Sequence, residues 1–398
     1  MRSSKTDAAP PDLGYLNPHL QADPQPVYRR LQSGCPIKRM IPGAGHFFFK
    51  YDDVMFALKH PEIFSAQVGT RMLGNDRPLI PLQIDPPEQT KYRKLLDPFF
   101  LRKRVAELEP DVRALVNQVI DGFIENGECE FHRDFAVPLP CTVFLRLFGL
   151  PQADFDLFLE LKDGIVRPSG ETFEEVQGVR AETGRRIYEY FDSLLDVREA
   201  HPKQDFLSYL LTARLEDMKL SRDEVKDVCF LFLIAGLDTV TATLGCVFSY
   251  LAQHPDRRQQ IARNPALIEH AIEEMLRWET PVMQVVRVLT RDYTMNGVRL
   301  EKGERVTLVL GAANVDPEQF EAPLQVELER ESNRHLAFGG GSHRCLGSHL
   351  ARMELQVSLE EFHRRIPEYP LREGSVPIYS PAIREVSNLH LVFGPSAR

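Results

Sequence analysis

Cysteine is scarce and scattered in this sequence, and that pattern argues against two kinds of protein. The 398 residues contain six cysteines, and none of them forms a C-x-x-C pair or a cluster with histidine at zinc-ligand spacing. The sequence therefore indicates neither a disulfide framework nor a structural zinc site. Scattered cysteines in a chain of this length are typical of reduced, intracellular proteins, so we expect a cytoplasmic location.

Long apolar runs and an excess of positive charge are also missing. The longest apolar run, residues 228–237, is far shorter than the roughly 18–20 residues that a membrane-spanning helix needs. Residues 1–11 are polar and contain proline, without the apolar region of a signal peptide. The net charge of −9 gives no general reason to expect binding to nucleic acid or to an anionic membrane. We therefore expect a protein that has no membrane anchor and binds no nucleic acid.

The most informative stretch is residues 338–347, with the sequence FGGGSHRCLG. Three consecutive glycines increase the entropy lost on ordering, so they suit a place where the backbone passes close to a flat group or adopts positive φ. Cys345 comes at the start of a predicted helix, whose free N–H groups and dipole favour a thiolate. A thiolate beside a glycine-lined surface suits the ligand side of an iron porphyrin. A buried free cysteine in a glycine turn is the alternative.

This stretch resembles the haem-binding signature of the cytochrome P-450 family, which holds its haem by a cysteine thiolate. The resemblance implies that the cofactor is haem b (iron protoporphyrin IX) and that Cys345 is the axial ligand of its iron. It also implies that Phe338, Gly339 and Gly347 contribute to cofactor binding.

The resemblance implies the fold as well. That fold is mainly α with a small β region, arranged as a triangular helical prism around a buried haem. Residues 23–398 would then form a single domain. The preceding residues, 1–22, are expected to be poorly ordered.

A buried helix of about 32 residues is predicted after a capping box formed by Ser221 and Glu224. Asp238 and Thr239 fall within its apolar part, where a buried acid is costly unless it is paired. The segment 235–239 (AGLDT) resembles the family's oxygen-activating segment. The resemblance implies a widened helical turn where dioxygen sits, and a proton relay through Asp238 and Thr239. A helix kink with a satisfied polar pair is the alternative.

Four side chains are predicted to bind the haem propionates. Residues 85–93 (DPPEQTKYR) resemble the family's haem-propionate helix, which implies Gln89 and Arg93; these lie on one face of a helix, and a guanidinium suits a carboxylate. The resemblance also implies Arg287, in an apolar predicted strand, and His343. The alternatives are a solvated helix face for the first pair and an outward-facing strand position for Arg287.

A Glu-x-x-Arg pair, Glu274 and Arg277, precedes Cys345 in the chain. By itself, an exposed acid–arginine pair at this spacing is common and weakly stabilising. In this order it resembles the family's Glu-x-x-Arg motif, with Arg330 as the third member, although the residues before Arg330 depart modestly from the family pattern. The resemblance implies a structural triad that fixes the segment carrying the cysteine.

Residues 65–85 form a predicted loop with many apolar side chains. Loops are normally polar, so we interpret this one as a cover over a cavity, with ordinary packing as the alternative. Two long predicted helices, 152–166 and 172–199, resemble the family's lid over the substrate pocket. The predicted pocket residues are Val68, Met72, Leu79, Phe232, Ala235, Gly236, Val285 and Val286.

The resemblance implies a monooxygenase that inserts one atom of O₂ into a small apolar molecule such as a terpenoid, a steroid or a similar lipid. No flavin or iron–sulfur fusion is visible, so electrons are expected from a separate ferredoxin with its reductase, and we expect a monomer. A basic patch is the predicted docking site, with a merely solvated face as the alternative. Its residues are Lys91, Lys94, Arg102, Lys103, Arg104, Arg344 and Arg352.

Two other functions stay open. A peroxide-driven peroxygenase would act on a fatty or aromatic acid, and Arg71 and Arg77 could bind such an anion. That class typically replaces the acid–alcohol pair, which is intact here at Asp238 and Thr239. A non-catalytic haem-thiolate sensor or redox carrier would not need this pair.

Overall fold

The computed structural model describes residues 22–40, 43–69, 73–215, 218–380 and 383–394. Met72, Arg71 and nearly all of the N-terminal segment 1–22 lie outside the described residues. Expectations for these positions therefore stay predictions.

Helices dominate the described part of the chain, in agreement with the predicted fold class. They are α1 (Gln25–Gln32), α2 (Tyr51–Lys59), α3 (Glu88–Leu96), α4 (Arg102–Ala106), α5 (Glu109–Asp121), α6 (Pro138–Phe148), α7 (Phe155–Val166), α8 (Phe173–Ala200), α9 (Phe206–Thr212), α10 (Arg222–Gln253), α11 (Pro255–Arg263), α12 (Ile268–Glu279), α13 (Leu310–Ala313) and α14 (Ser348–Arg365).

The strands are short. They are β1 (Ile37–Arg39), β2 (His46–Phe48), β3 (Phe64–Ser65), β4 (Glu128–Glu130), β5 (Arg214–Leu215), β6 (Met218–Lys219), β7 (Val285–Leu289), β8 (Tyr293–Met295), β9 (Val298–Leu300), β10 (Arg305–Leu308), β11 (Ile378–Tyr379), β12 (Val386–Ser387) and β13 (His390–Val392).

One larger sheet stands beside the helices. Its strand order is β1-β2-β10-β7-β3, and the other described strands form two-stranded ladders. The predicted hairpin turn at Asn296-Gly297 joins β8 to β9, with φ of 50° and 77°. Two consecutive residues at positive φ are what the favoured two-residue hairpin turn requires.

The central helix α10 begins after the predicted capping box, because the Ser221 hydroxyl and the Glu224 carboxylate each accept from the other's backbone N–H. By length and composition it could cross a membrane, but 78% of its most apolar window is buried inside the protein. The helix is therefore a core element of the fold.

α10 joins two hydrophobic cores. Its first half packs with α6, α7, α8 and α9 in one cluster, which includes Leu237. Its second half, from Val240, packs with α5, α12 and α14 in the other. Asp238 and Thr239 lie where the two cores meet, so the tertiary packing fixes these two residues in place.

Candidate active site

The loop before α14 carries Cys345. Gly339 and Gly341 have φ of 67° and 65°, and a Cβ on Gly341 would clash with the carbonyl oxygen of Leu58 on α2. Glycine is therefore required at position 341 by its conformation and by its contact with the α2 backbone. The loop closes where the backbone N–H of Cys345 donates to the carbonyl oxygen of Phe338 at 2.9 Å.

The local electrostatics of Cys345 differ from the prediction. The residue is solvent-exposed, yet enough protein surrounds the thiol that desolvation raises its pKa, and the Gly347 backbone N–H with three nearby arginines only partly offsets this. The start of α14 therefore does not produce a thiolate by itself. A metal ion that binds the sulfur would deprotonate it outright, so the donor fits an iron ligand.

Two buried cationic or polar groups have too few partners to explain their burial. Arg287 is 7% exposed on the inward face of β7, and its guanidinium donates to the carbonyl oxygen of Val286 at 2.8 Å. Desolvation lowers the pKa of Arg287 to about 10, and only the charge of Asp85 opposes this shift. The alternative of an outward-facing Arg287 is therefore wrong.

His343 shows the same deficit. Its Nε2 atom is buried and has no hydrogen-bond partner among the described residues; Asp85 Oδ1 lies 3.9 Å away, at the limit of an ion pair. Buried polar groups normally have a partner. Arg287 and His343 thus fit an additional anion, such as a haem propionate.

Gln89 and Arg93 contact the cysteine loop directly. Gln89 is buried, and its Nε2 donates to the carbonyl oxygen of Ser342 at 2.6 Å. Arg93 donates to the carbonyl oxygen of Arg344 at 2.8 Å and pairs with Asp97 at 2.9 Å. A simple solvated helix face is therefore wrong for these two residues, while binding to a propionate stays a prediction for both.

The widened turn expected in the central helix is absent, because α10 is α-helical throughout Arg222–Gln253. The Thr239 hydroxyl donates to the carbonyl oxygen of Ala235, one turn earlier, at 3.0 Å. Gly236 instead allows close packing of α6, since a Cβ there would lie 3.3 Å from the ring of Phe144. Ala235 is exposed although it lies in the middle of a core helix. Ala235 and Thr239 therefore mark the face of α10 that borders the site.

Asp238 points away from that face and is fully buried. Lys162 Nζ lies 3.0 Å from Asp238 Oδ1, and the Arg167 guanidinium binds both carboxylate oxygens, at 2.9 and 3.0 Å. Burial raises the pKa of Asp238, but the two cations outweigh burial and leave the pKa below its ordinary value. Sequence reasoning missed Lys162 and Arg167, although the rule that a buried acid needs partners could have prompted a search for cations.

The predicted Glu-x-x-Arg triad is assembled. Arg277 donates to both carboxylate oxygens of Glu274 at 2.8 and 2.7 Å, and Arg330 donates to Glu274 at 3.0 Å. Glu274 and Arg277 are fully buried. Arg277 also donates to the carbonyl oxygens of Asn314, Pro323 and Gln325. The triad thus ties α12 to the chain that leads towards the cysteine loop.

The predicted pocket residues divide into two groups. Val68, Val285 and Val286 are partly exposed, like Ala235. Leu79 is fully buried among side chains that pack with α7 and α8, and its place in the pocket wall stays a prediction. Phe232 is partly buried: it stacks on Phe100 at a centroid distance of 5.3 Å and packs against the same core.

Basic residues surround the cysteine loop. His349 has its pKa lowered by burial and then by the charges of Arg352, Arg344 and Arg102, so these four residues are neighbours. The Arg352 guanidinium donates to both carboxylate oxygens of Glu273, at 2.5 and 2.7 Å, and lies over the ring of Phe338. Arg344 is exposed. Three residues of the predicted patch, Arg102, Arg344 and Arg352, therefore lie near one another, and Arg352 is already paired with Glu273.

Comparison with known proteins identifies the family of this chain. A model described as cytochrome P450 matches residues 144–365. The chain is 34% identical to a steroid C26-monooxygenase of Mycobacterium tuberculosis, covering 98% of this chain and 99% of that protein. It is 33% identical to mycinamicin IV hydroxylase/epoxidase of Micromonospora griseorubida, over 85% and 87% of the two chains.

Solved structures lead to the same family. P450BioI, in complex with acyl carrier protein ligated to hexadec-9Z-enoic acid, gives a TM-score of 0.87 at 28% identity over 95% of this chain and 99% of that one. CYP109E1 from Bacillus megaterium, in complex with testosterone, gives 0.87 at 27% identity over 94% and 99%. The chain therefore belongs to the cytochrome P450 family and is a P450 monooxygenase whose family cofactor is haem iron.

Proposed function

We propose that this P450 inserts one oxygen atom into a large apolar substrate of the steroid or terpenoid class, with electrons from a ferredoxin and its reductase. We further propose a monomeric, cytoplasmic protein. The family's haem cofactor, which we propose is haem b, would bind and activate O₂. The protein residues hold this group, shape the space beside it and move protons.

Cys345 would bind the haem iron from one side. Arg287 and His343 would bind propionates, because both are buried without adequate partners. Gln89 and Arg93 hold the carbonyl oxygens of Ser342 and Arg344, so they would position the loop that presents the sulfur.

The observation that carries the choice of substrate is the pairing of Arg77. Its guanidinium binds Asp227 through two contacts of 3.0 Å and lies over the ring of Tyr188. Arg77 is therefore not available to a substrate carboxylate, and Arg71 lies outside the described residues. This supports an apolar substrate over the fatty or aromatic acid of the peroxygenase alternative. The name of the steroid C26-monooxygenase supports the same choice.

Asp238 and Thr239 would deliver protons to bound dioxygen. A carboxylate and a hydroxyl on adjacent residues form a short path from the polar lid junction to the Ala235 face of α10. The Asp238 carboxylate is held by Lys162 and Arg167, so proton delivery requires at least one of these ion pairs to loosen.

The exposed basic residues beside the cysteine loop support an acidic electron donor. Positive charge on that face would steer such a protein towards the thiolate side of the haem. Arg344 is exposed and adjacent to Cys345, so it is the residue of choice for a test.

The substrate class is tested by titrating the ferric holoenzyme with testosterone and, separately, with hexadec-9Z-enoic acid, while the low-spin to high-spin Soret shift is recorded. We expect a shift with the steroid and a weaker one or none with the acid. In an Ala235→Phe variant the steroid shift should be lost, because the new ring occupies the face of α10 beside Thr239. A stronger response to the fatty acid would contradict the proposal and favour the peroxygenase alternative.

A further inference from the structure

The guanidinium of Arg167 is shared between two buried carboxylates. It binds Asp238 of α10, and its Nη2 also donates to Glu385, just before β12. Asp163, one turn earlier on α7, lies 3.2 Å from Nη1. Arg167 directly follows α7 and precedes the connection to α8. One side chain therefore links the lid helices, the central helix and the C-terminal segment.

Glu385 is itself fixed. Its side chain is 6% exposed, and His132 Nε2 lies 2.7 Å from its second carboxylate oxygen. A buried carboxylate is costly unless it is paired, and here Arg167 and His132 are its partners. Nothing in the P450 reaction as proposed above uses Glu385 or His132, so this buried acid needs another explanation.

The charges around Asp238 suggest one. Two cations, Lys162 and Arg167, face three carboxylates, those of Asp238, Asp163 and Glu385. Each cation that holds Asp238 is thus also held by a second acid. Because Arg167 also pairs with Glu385, its positive charge is shared between Asp238 and a second carboxylate.

We propose that Glu385 is a positioning residue for proton delivery: it holds Arg167, oriented by His132, so that Asp238 keeps its geometry and can still exchange a proton. This inference rests on the proposed role of Asp238. Loss of the negative charge at position 385 would leave the full charge of Arg167 on Asp238. Asp238 would then be a weaker proton acceptor and a slower relay.

The test compares the wild-type holoenzyme with Glu385→Gln, which keeps the shape of the side chain and removes its charge. Glu304→Gln is a matched control, because Glu304 is also mostly buried and pairs with a histidine and an arginine, His46 at 2.6 Å and Arg39 at 3.3 Å. O₂ consumption is measured in H₂O and in D₂O, with testosterone as the probe and a plant-type ferredoxin and reductase as donors. Because O₂ consumption is counted, the result does not depend on which product is formed.

We expect Glu385→Gln to lower kcat for O₂ consumption by about threefold to tenfold, less than the loss of a general acid itself. The ratio of the rate in H₂O to the rate in D₂O should rise, because proton transfer becomes slower. The KM for testosterone should stay within twofold of the wild-type value, because Glu385 is proposed to position the relay and not to bind substrate. Glu304→Gln should match the wild type in all three quantities. Glu385→Asp, which keeps the charge, should recover most of the loss and serves as the second variant.

Hydrogen–deuterium exchange of backbone amides in residues 166–172 provides a readout without turnover. We expect little change in Glu385→Gln, since Asp238 still binds Arg167. Faster exchange together with a higher KM and an unchanged isotope ratio would show that Glu385 only fastens the lid, and would overturn the proposal. An unchanged kcat, or an equal loss in Glu385→Asp, would overturn it too.

Discussion

Arg93 donates a hydrogen bond of 2.8 Å to the carbonyl oxygen of Arg344, the residue directly before Cys345. The same guanidinium pairs with Asp97 on the next helical turn. A side chain that is predicted to bind a propionate therefore supports the loop that carries the thiol. Together with Gln89, which donates to the carbonyl oxygen of Ser342, Arg93 ties the loop that carries Cys345 to α3.

Replacement of Cys345 by alanine is expected to abolish the characteristic absorption of the reduced carbon monoxide complex, because that absorption requires a thiolate on the iron. The spectrum of the reduced protein under carbon monoxide measures this directly. Cys35→Ala is the matched control, since Cys35 is also exposed; it should leave the band intact. A band that persists in folded Cys345→Ala protein would remove the assignment of the axial ligand.

Thr239→Ala should retain the haem spectrum but divert reducing equivalents to peroxide, because the hydroxyl proposed to pass protons is lost. The measurement is the amount of peroxide formed for each NADPH oxidised. Thr243→Ala is the control, one turn further along α10 and hydrogen-bonded to the carbonyl oxygen of Thr239. If both variants formed the same amount of peroxide for each NADPH oxidised, the proposed role of Thr239 would be contradicted.

Arg330→Ala should destabilise the protein strongly, because it leaves Glu274 with less compensation in a fully buried position. Breaking a buried ion pair by removing one partner costs about 3–5 kcal/mol, which urea unfolding of the holoenzyme can measure. Arg299→Ala removes an exposed ion pair with Asp292 and should behave like the wild type. A small, equal effect of both changes would show that the triad does not stabilise the fold.

Stability should fall in mild acid because of His363. Burial lowers the pKa of this histidine from 6.5 to about 4, so the unfolded chain binds a proton at a pH where the folded chain does not. The contribution of His363 to the free energy of unfolding is thus complete above about pH 6.5. It is lost as the pH falls towards 4, by up to about 3 kcal/mol.

Chemical unfolding of wild type and His363→Gln between these pH values tests the prediction. The variant should be less stable at neutral pH and should show a flatter pH dependence. His60→Gln, at a half-exposed position, should keep the wild-type slope. An unaltered slope in His363→Gln would assign the acid sensitivity to other groups.

Arg344→Glu should weaken the ferredoxin-driven reaction by reversing an exposed charge beside the thiolate loop. We expect a higher apparent KM for ferredoxin at low salt and a smaller salt dependence, with reduction by dithionite unaffected. Arg185→Glu on α8 is the control, because Arg185 is exposed on the lid side. Equal behaviour of the two variants would argue that the basic patch is only a solvated surface.

Local chemistry made several features predictable. The capping box at Ser221, the turn at Asn296-Gly297 and the glycine-rich cysteine loop each follow from interactions within a few residues. The order of the motifs along the chain was enough to indicate the family, and with it the helical fold and the triad of Glu274, Arg277 and Arg330.

Contacts between residues that are distant in sequence could not be predicted in this way. Leu79 is an example, because an apolar side chain can face either the substrate pocket or the protein core, and its type alone does not decide between them. The prediction of a widened turn at Gly236 is wrong, because α10 is α-helical at this position. The absence of a side chain instead allows the ring of Phe144, from another helix, to pack closely.

What the sequence by itself determined is the set of reactive groups and their local conformations. Only the tertiary structure decided that Lys162 and Arg167 hold Asp238 and that Glu385 holds Arg167. Electrostatic pairing acts through space and leaves no short-range pattern in the chain. The same holds for Arg287 and His343, which suggest an anion site because they are buried with too few polar partners among the described residues. A missing hydrogen-bond partner can be recognised only when the positions of the neighbouring atoms are known.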